Sequence, residues 1–217
     1  MSNFFHLHLC RGQVLGYMAI CLSTLALSSP VLAEEDAPPA SKELLGKVIA
    51  AAGGEGKLLT IFRMKERFNA GMERVSPGSS RESVVEPPSH WWIDTKERGM
   101  EPAKTAAWAW TLGVLTHPKS KIERVVDVTD NDQTWAGLRV TGSVDPALDM
   151  YFDKATHELM RVDWRNDIYR FSEWKEHDGT RYPSKCVMHR RNTGKPWFFH
   201  EIVTLERLKE LPSGLKR

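Results

Sequence analysis

Between His117 and Leu208 the chain repeats one pattern seven times, a short alternating run closed by turn residues, and that repetition fixes the class of architecture open to it. The runs are Arg124 to Thr129, Thr134 to Thr141, Leu148 to Phe152, Leu159 to Arg165, Ile168 to Lys175, Arg181 to His189 and Trp197 to Leu208. Asn131-Asp132, Asp145-Pro146, Asp178-Gly179 and Asn192-Thr193-Gly194 punctuate them, which predicts an antiparallel meander. Alternation is sharpest where Met160, Val162 and Trp164 oppose Arg161, Asp163 and Arg165, so one face of the sheet is apolar and the other solvated. In the last run Trp197, Phe199, Val203 and Leu205 are assigned to the apolar side, with Glu201 the polar exception.

The front of the chain supplies helices and two more strands. Leu44, Leu45, Val48, Ile49 and Ala52 recur at helical spacing behind a capping Ser41, and Gly53-Gly54 ends that helix. Gly53 to Lys57 is not a phosphate loop, because it lacks the Lys-Ser/Thr ending and follows a helix where such a loop follows a strand. From Leu59 to Phe68, Phe62, Met64 and Phe68 share one side while Arg63, Lys65 and Arg67 share the other, as in a half-buried strand. A turn at Ser76-Pro77-Gly78-Ser79 precedes a second strand, Arg81 to Glu86, broken by Pro87-Pro88 before Trp91-Trp92-Ile93. Trp108, Leu112 and Leu115 at i, i+4, i+7 predict another helix within Pro102 to Thr116.

Residues 1–33 read as an export signal. Arg11 forms a sparse basic start, Val14 to Leu27 is an apolar run short for a bilayer span, and Val31-Leu32-Ala33 suits cleavage before Glu34. The mature chain is therefore expected in the periplasm or outside the cell, with residues 34–40 a Pro-containing tether, 41–208 a single domain and 209–217 a polar tail. Removing 33 of 217 residues leaves 184, enough for one domain with a real core. Of three cysteines only Cys186 remains, so no internal disulfide forms and packing must supply stability; a small buried thiol in a monomer is expected. Cationic and acidic side chains nearly balance, 29 against 28 once Arg11 leaves, with no dense basic block, which argues against nucleic acid and a charged membrane patch.

The helix ending Ala52-Gly53-Gly54, the strand after Lys57, the Tyr151-Phe152-Asp153-Lys154 run turning into Leu159-Met160-Arg161-Val162, the Asp178-Gly179 to Tyr182-Pro183 corner and the Gly194-Lys195-Pro196 hairpin belong together. In that combination the chain resembles the superfamily of periplasmic lipoprotein carriers related to LolA and LolB, over roughly residues 41–208. The resemblance implies an α+β fold, a strongly curved antiparallel sheet or incomplete barrel, with two or three helices covering a concave apolar face that holds acyl chains. It also implies an arginine of the first strands that latches the lid, for which Arg63, Arg67 and Arg74 are all open.

No catalytic constellation accompanies this. His157-Glu158-Leu159-Met160-Arg161 starts like a zincin helix but has Arg where the second His is required. There is no Gly-x-Ser-x-Gly elbow, and His177-Asp178 and His200-Glu201 are neighbours that point to opposite faces of a strand, read as solvated. The reading is a non-enzymatic binding protein without cofactor or metal. Its hydrophobic ligand, a lipid or acyl chain, is expected to meet Phe62, Met64, Trp108, Met150, Phe152, Met160, Val162, Trp164, Phe199 and Val203, because a half-barrel offers more apolar surface than a few helices can fill. The alternative is a cell-envelope structural or interaction domain with a filled core, meeting a protein partner through a sheet edge or aromatic surface.

Overall fold

The computed structural model describes residues 39–217; the expected signal segment and most of the tether lie outside them. Among these residues the chain forms three α-helices, α1 (Pro39–Ala51), α2 (Glu101–Trp110) and α3 (Gly113–Thr116), and a 3-10 turn at Glu55–Lys57. The strands are β1 (Phe62–Ala70), β2 (Ser79–Glu86), β3 (His90–Ile93), β4 (Lys96–Glu97), β5 (Lys121–Asp130), β6 (Gln133–Thr141), β7 (Leu148–Phe152), β8 (Leu159–Trp164), β9 (Asp167–His177), β10 (Thr180–Arg190) and β11 (Pro196–Arg207). They make one sheet in the order β4-β3-β2-β1-β11-β10-β9-β8-β7-β6-β5, antiparallel at every step and open at β4 and β5. Every strand anticipated from alternation is present, and the two-residue β4 is added where no alternation marks it.

The sheet has to curve. Ten strand spacings of about 4.8 Å would span close to 50 Å if flat. Yet a single buried cluster joins Phe62, Val85 and Trp91 near one edge to Leu138, Val140 and Met150 near the other, with Leu44, Val48, Ala109 and Val114 from the helices between them. Only a sheet bent around its helices brings those side chains together, so the expected open, curved α+β architecture is what the chain adopts. Val84, Trp92, Trp135, Tyr151 and Ile168 are also buried but lie outside that cluster, as separate patches on the opposite, outer face. Trp92 owes its cover to the C-terminal residues: its ring N–H donates to the Lys216 carbonyl at 3.3 Å, and Arg217 forks onto Glu86 at 2.8 Å.

Two helix details depart from expectation. Ser41, expected ahead of α1 as its cap, is fully buried within the helix, whose described part begins at Pro39. The helix anticipated over Pro102 to Thr116 is two, since Leu112 takes a left-handed conformation with φ 62°. The break seats Gly113 against the Trp108 indole, where a Cβ would lie 2.9 Å from ring atoms.

The C-terminus of α1 is built as the glycines suggest. Gly53 N–H donates to the Ala50 carbonyl at 3.0 Å and Gly54 N–H to that of Ile49 at 2.9 Å, a Schellman closure with φ of 107° and 94°. A Cβ on Gly53 would meet the Gly179 carbonyl oxygen at 2.0 Å, whereas one on Gly54 would meet nothing within 4 Å. Both alanine substitutions carry the conformational penalty of a positive φ, about 1 kcal/mol. Gly53→Ala also forces the β9–β10 turn away from the helix, so urea unfolding is expected to show a markedly larger loss for Gly53→Ala than for Gly54→Ala.

Candidate ligand-binding face

The inner face begins with β1, whose alternation places Phe62, Met64 and Glu66 on one side. Opposite them in β11 the pairing shifts between Lys65 and Glu66, so that Met64 faces Leu205 and Glu66 faces Ile202 while Val203 is the extra residue. This bulge overturns the assignment of Phe199 and Val203. Ile202 and Leu205 belong to the core, and Phe199, paired with Asn69 and Val187, lies on the outer face. A second irregularity, between Tyr151 and Phe152, pairs Phe152 with Leu159 and leaves Met160 outside the core cluster. The other expected residues do converge: Phe62, Met64, Trp108, Met150, Phe152, Val162 and Trp164 are all buried in one cluster. Trp164 satisfies its ring N–H on the Pro146 carbonyl at 3.0 Å, and Phe62 meets Trp110 edge-on with centroids 5.2 Å apart.

The helices fill this face more completely than the sequence argument allowed. Trp108, Trp110 and Leu115 are buried against it, and two spaces lie at its margins. One cavity of about 100 Å3 lies beside the β1–β2 loop, lined by Arg67, Arg74, Val75 and Phe199 among others. A crevice of about 200 Å3 opens at the N-terminal half of α1, between Ala40, Glu43, Leu44 and Lys47 of the helix and Arg124, Ala136, Lys154 and His157 across from it.

At the β1–β2 end the apolar face carries a charged cluster that alternation alone did not register. The Glu66 side chain is wholly inaccessible and accepts from Arg81 Nε and Nη2 at 2.9 and 3.0 Å, from His200 Nε2 at 2.6 Å and from the Ser83 hydroxyl. Arg81 lies over the Phe68 ring at 4.7 Å, and Phe68 stacks on Phe198. Burial by itself would push the Glu66 carboxyl up, but the hydrogen bonds and charges of His200 and Arg81 outweigh it and hold the group at about 2. His200 is thus an inward partner of a buried carboxylate and not a solvated strand residue. The signal was present: Glu66 stands at an apolar position between Met64 and Phe68, and a carboxylate there requires buried donors. Of the arginines considered as a latch, Arg63 pairs with Glu82 and Glu206 and Arg67 with Glu201 on the outer face, while Arg74 belongs to the β1–β2 loop.

A different arginine secures the end of α1. Arg207 donates to the Leu58 carbonyl at 2.9 Å and also to Lys57 and Thr180, Thr180 donates to the Lys57 carbonyl, and Arg181 N–H reaches the Ala52 carbonyl at 3.2 Å. The C-terminal end of the helix is therefore fastened to β10 and β11, and its N-terminal half borders open space. Cys186 is buried as expected, and desolvation pushes its thiol well up, away from thiolate chemistry. Among the described residues no group of three or more His, Cys, Asp or Glu is arranged to hold a metal ion.

Glu66→Gln leaves the Arg81 charge buried without its counter-ion, and a loss of about 3–5 kcal/mol is expected. The pH dependence has a definite sign. The folded-state value of about 2 lies below the ordinary 4.5, so the contribution is complete above pH 4.5 and is lost as pH falls toward 2, by roughly 3 kcal/mol. Urea titrations between pH 6 and pH 2.5 should show this acid slope in the parent protein and a shallower one in Glu66→Gln.

No protein-family model matches the sequence, and no curated protein matches it. Solved structures do resemble it. A putative outer membrane lipoprotein-sorting protein domain from Vibrio parahaemolyticus superposes with TM-score 0.48 at 11% identity, covering 80% of this chain and 94% of that one. A LolA superfamily protein from Nitrosomonas europaea gives 0.48 at 10%, over 79% and 94%, and a DUF1329 family protein from Desulfovibrio piger 0.47 at 9%, over 79% and 95%.

Proposed function

We propose that the protein is an exported, non-enzymatic carrier that holds a lipid or lipoprotein acyl chain against the inner face of its sheet, with α1 as the element that moves aside. The observation that carries this reading is the unequal attachment of α1. Its C-terminal end is bound through Gly53, Ala52 and the Arg207 and Thr180 contacts, whereas its N-terminal half stands over the 200 Å3 crevice. Leu44 is buried from that half and Val48 from the turn after it, so lifting the helix uncovers apolar side chains continuous with Leu138, Met150 and Phe152. The crevice alone is smaller than the 300–1,000 Å3 typical of small-molecule sites, and hinging at the glycines supplies the rest. The described chain is the closed form. Its filled core costs nothing in this reading, because the helix occupies the ligand's place until a chain displaces it. Export through the segment ending at Ala33 would put the carrier in the periplasm or outside the cell, where lipid-modified proteins and lipids must cross water.

The test is titration of the purified protein with cis-parinaric acid, a fluorescent acyl chain, with excitation of tryptophan. Trp91, Trp108, Trp110 and Trp164 lie on or against the inner face, so saturable binding with energy transfer to the probe is expected. Absence of saturable binding would remove the carrier reading and leave a filled interaction domain that meets a protein partner.

A further inference from the structure

The crevice under α1 carries a chemical preference of its own. Its floor is apolar, since Leu44 and Ala136 belong to the core cluster. Its rim is cationic: Lys47 from the helix, Arg124 from β5, and Lys154 and His157 from the β7–β8 turn. Three carboxylates stand near: Glu43 binds Lys47 at 2.6 Å, Asp127 binds Arg124 at 2.6 Å and Lys154 at 2.7 Å, and Asp153, which interacts with His157, is turned onto the backbone N–H groups of its own loop. His157 Nδ1 is buried and has no hydrogen-bond partner, an exception to the rule that buried polar atoms are satisfied.

The turn that presents Lys154 and His157 is held in advance. Asp153 accepts from the backbone N–H groups of Ala155 and Thr156 at 2.8 and 2.7 Å, and His157 N–H donates back to the Asp153 carbonyl at 2.9 Å. Arg124 is fixed from below by the carbonyls of Val125 and Gly137, at 2.8 and 2.6 Å.

A cationic rim over an apolar floor matches an amphiphile of opposite charge. We propose that the carried ligand is an anionic lipid whose oxyanion head group, a carboxylate or phosphate, sits among Lys47, Arg124, Lys154 and His157 while its chain runs inward past Leu44 and Ala136. This rests on the carrier reading and adds to it the class of head group and the direction of the chain.

The experiment compares cis-parinaric acid with its methyl ester, the same chain without charge, on the full protein at low salt, and repeats both on the Lys47→Gln/Lys154→Gln double variant. Both lysines are about half exposed, with side-chain accessibilities of 50% and 51%, so the fold is expected to persist, and an unchanged melting curve verifies it. The acid should bind about tenfold more tightly than the ester, and the double variant should bring it to within about twofold of the ester, as expected for two partly screened ion contacts. Equal affinity of acid and ester in the parent protein overturns the head-group site while leaving the carrier reading intact, as does an undiminished preference in the double variant. Inorganic phosphate supplies the last arm: if it alone binds as tightly as the acid, the rim is a free-anion site and the lipid assignment fails. Binding of neither probe removes the carrier reading and this inference with it.

Discussion

An antiparallel sheet with one apolar face must hide that face from water, and among the described residues there is no second sheet with which to do so. Eleven strands expose far more inner surface than one helix of 13 residues can cover. The sheet therefore bends until the side chains of β1 to β3 and of β6 to β8 reach the same helices. Large residues at the center, Trp108 and Trp110, fill what curvature leaves empty. The rest of the molecule follows from this requirement: the break at Leu112 that seats Trp108, the glycine closure that turns α1 back onto β1, and the fastening of that turn to β10 and β11.

The covering is uneven in strength. Near β1, β2 and β11 the inner face is locked by Glu66 and its donors, a buried ionic group that resists opening because any partner left behind would be stranded in apolar surroundings. At the far side, where α1 crosses toward β5, a crevice is open at the surface. A face that is rigid at one end and loosely covered at the other can admit a guest without unfolding, since local opening draws on the least stable contacts.

The strand errors share one cause. Period-two reading assumes an unbroken pleat, and β11 contains an extra residue at Val203 while the β7–β8 pair shifts between Tyr151 and Phe152. Each irregularity displaces the alternation by one, which moved Phe199 and Val203 to the outer face and Met160 off the core. Phe62, Met64, Met150, Phe152, Val162 and Trp164 precede or avoid these slips, and their placement was legible. Glu66 was legible for the opposite reason, as a charge on an apolar stripe. Its partners were not, because Arg81 and His200 are distant in sequence and meet Glu66 only through strand register.

Local chemistry, carried entirely in the sequence, determined that the strands of the meander form and run antiparallel, that one face is apolar, and that the first helix stops at Gly53-Gly54. These depend on turn geometry and side-chain period, which act over a few residues. Tertiary structure alone decided how far the sheet curves, which helix fills the hollow, which carboxylate is buried with which cations, and that Lys47, Arg124, Lys154 and His157 ring one crevice. Those outcomes are set by pairing between β1 and β11, and by α1 crossing to β5, contacts between residues far apart in the chain whose geometry no local pattern specifies.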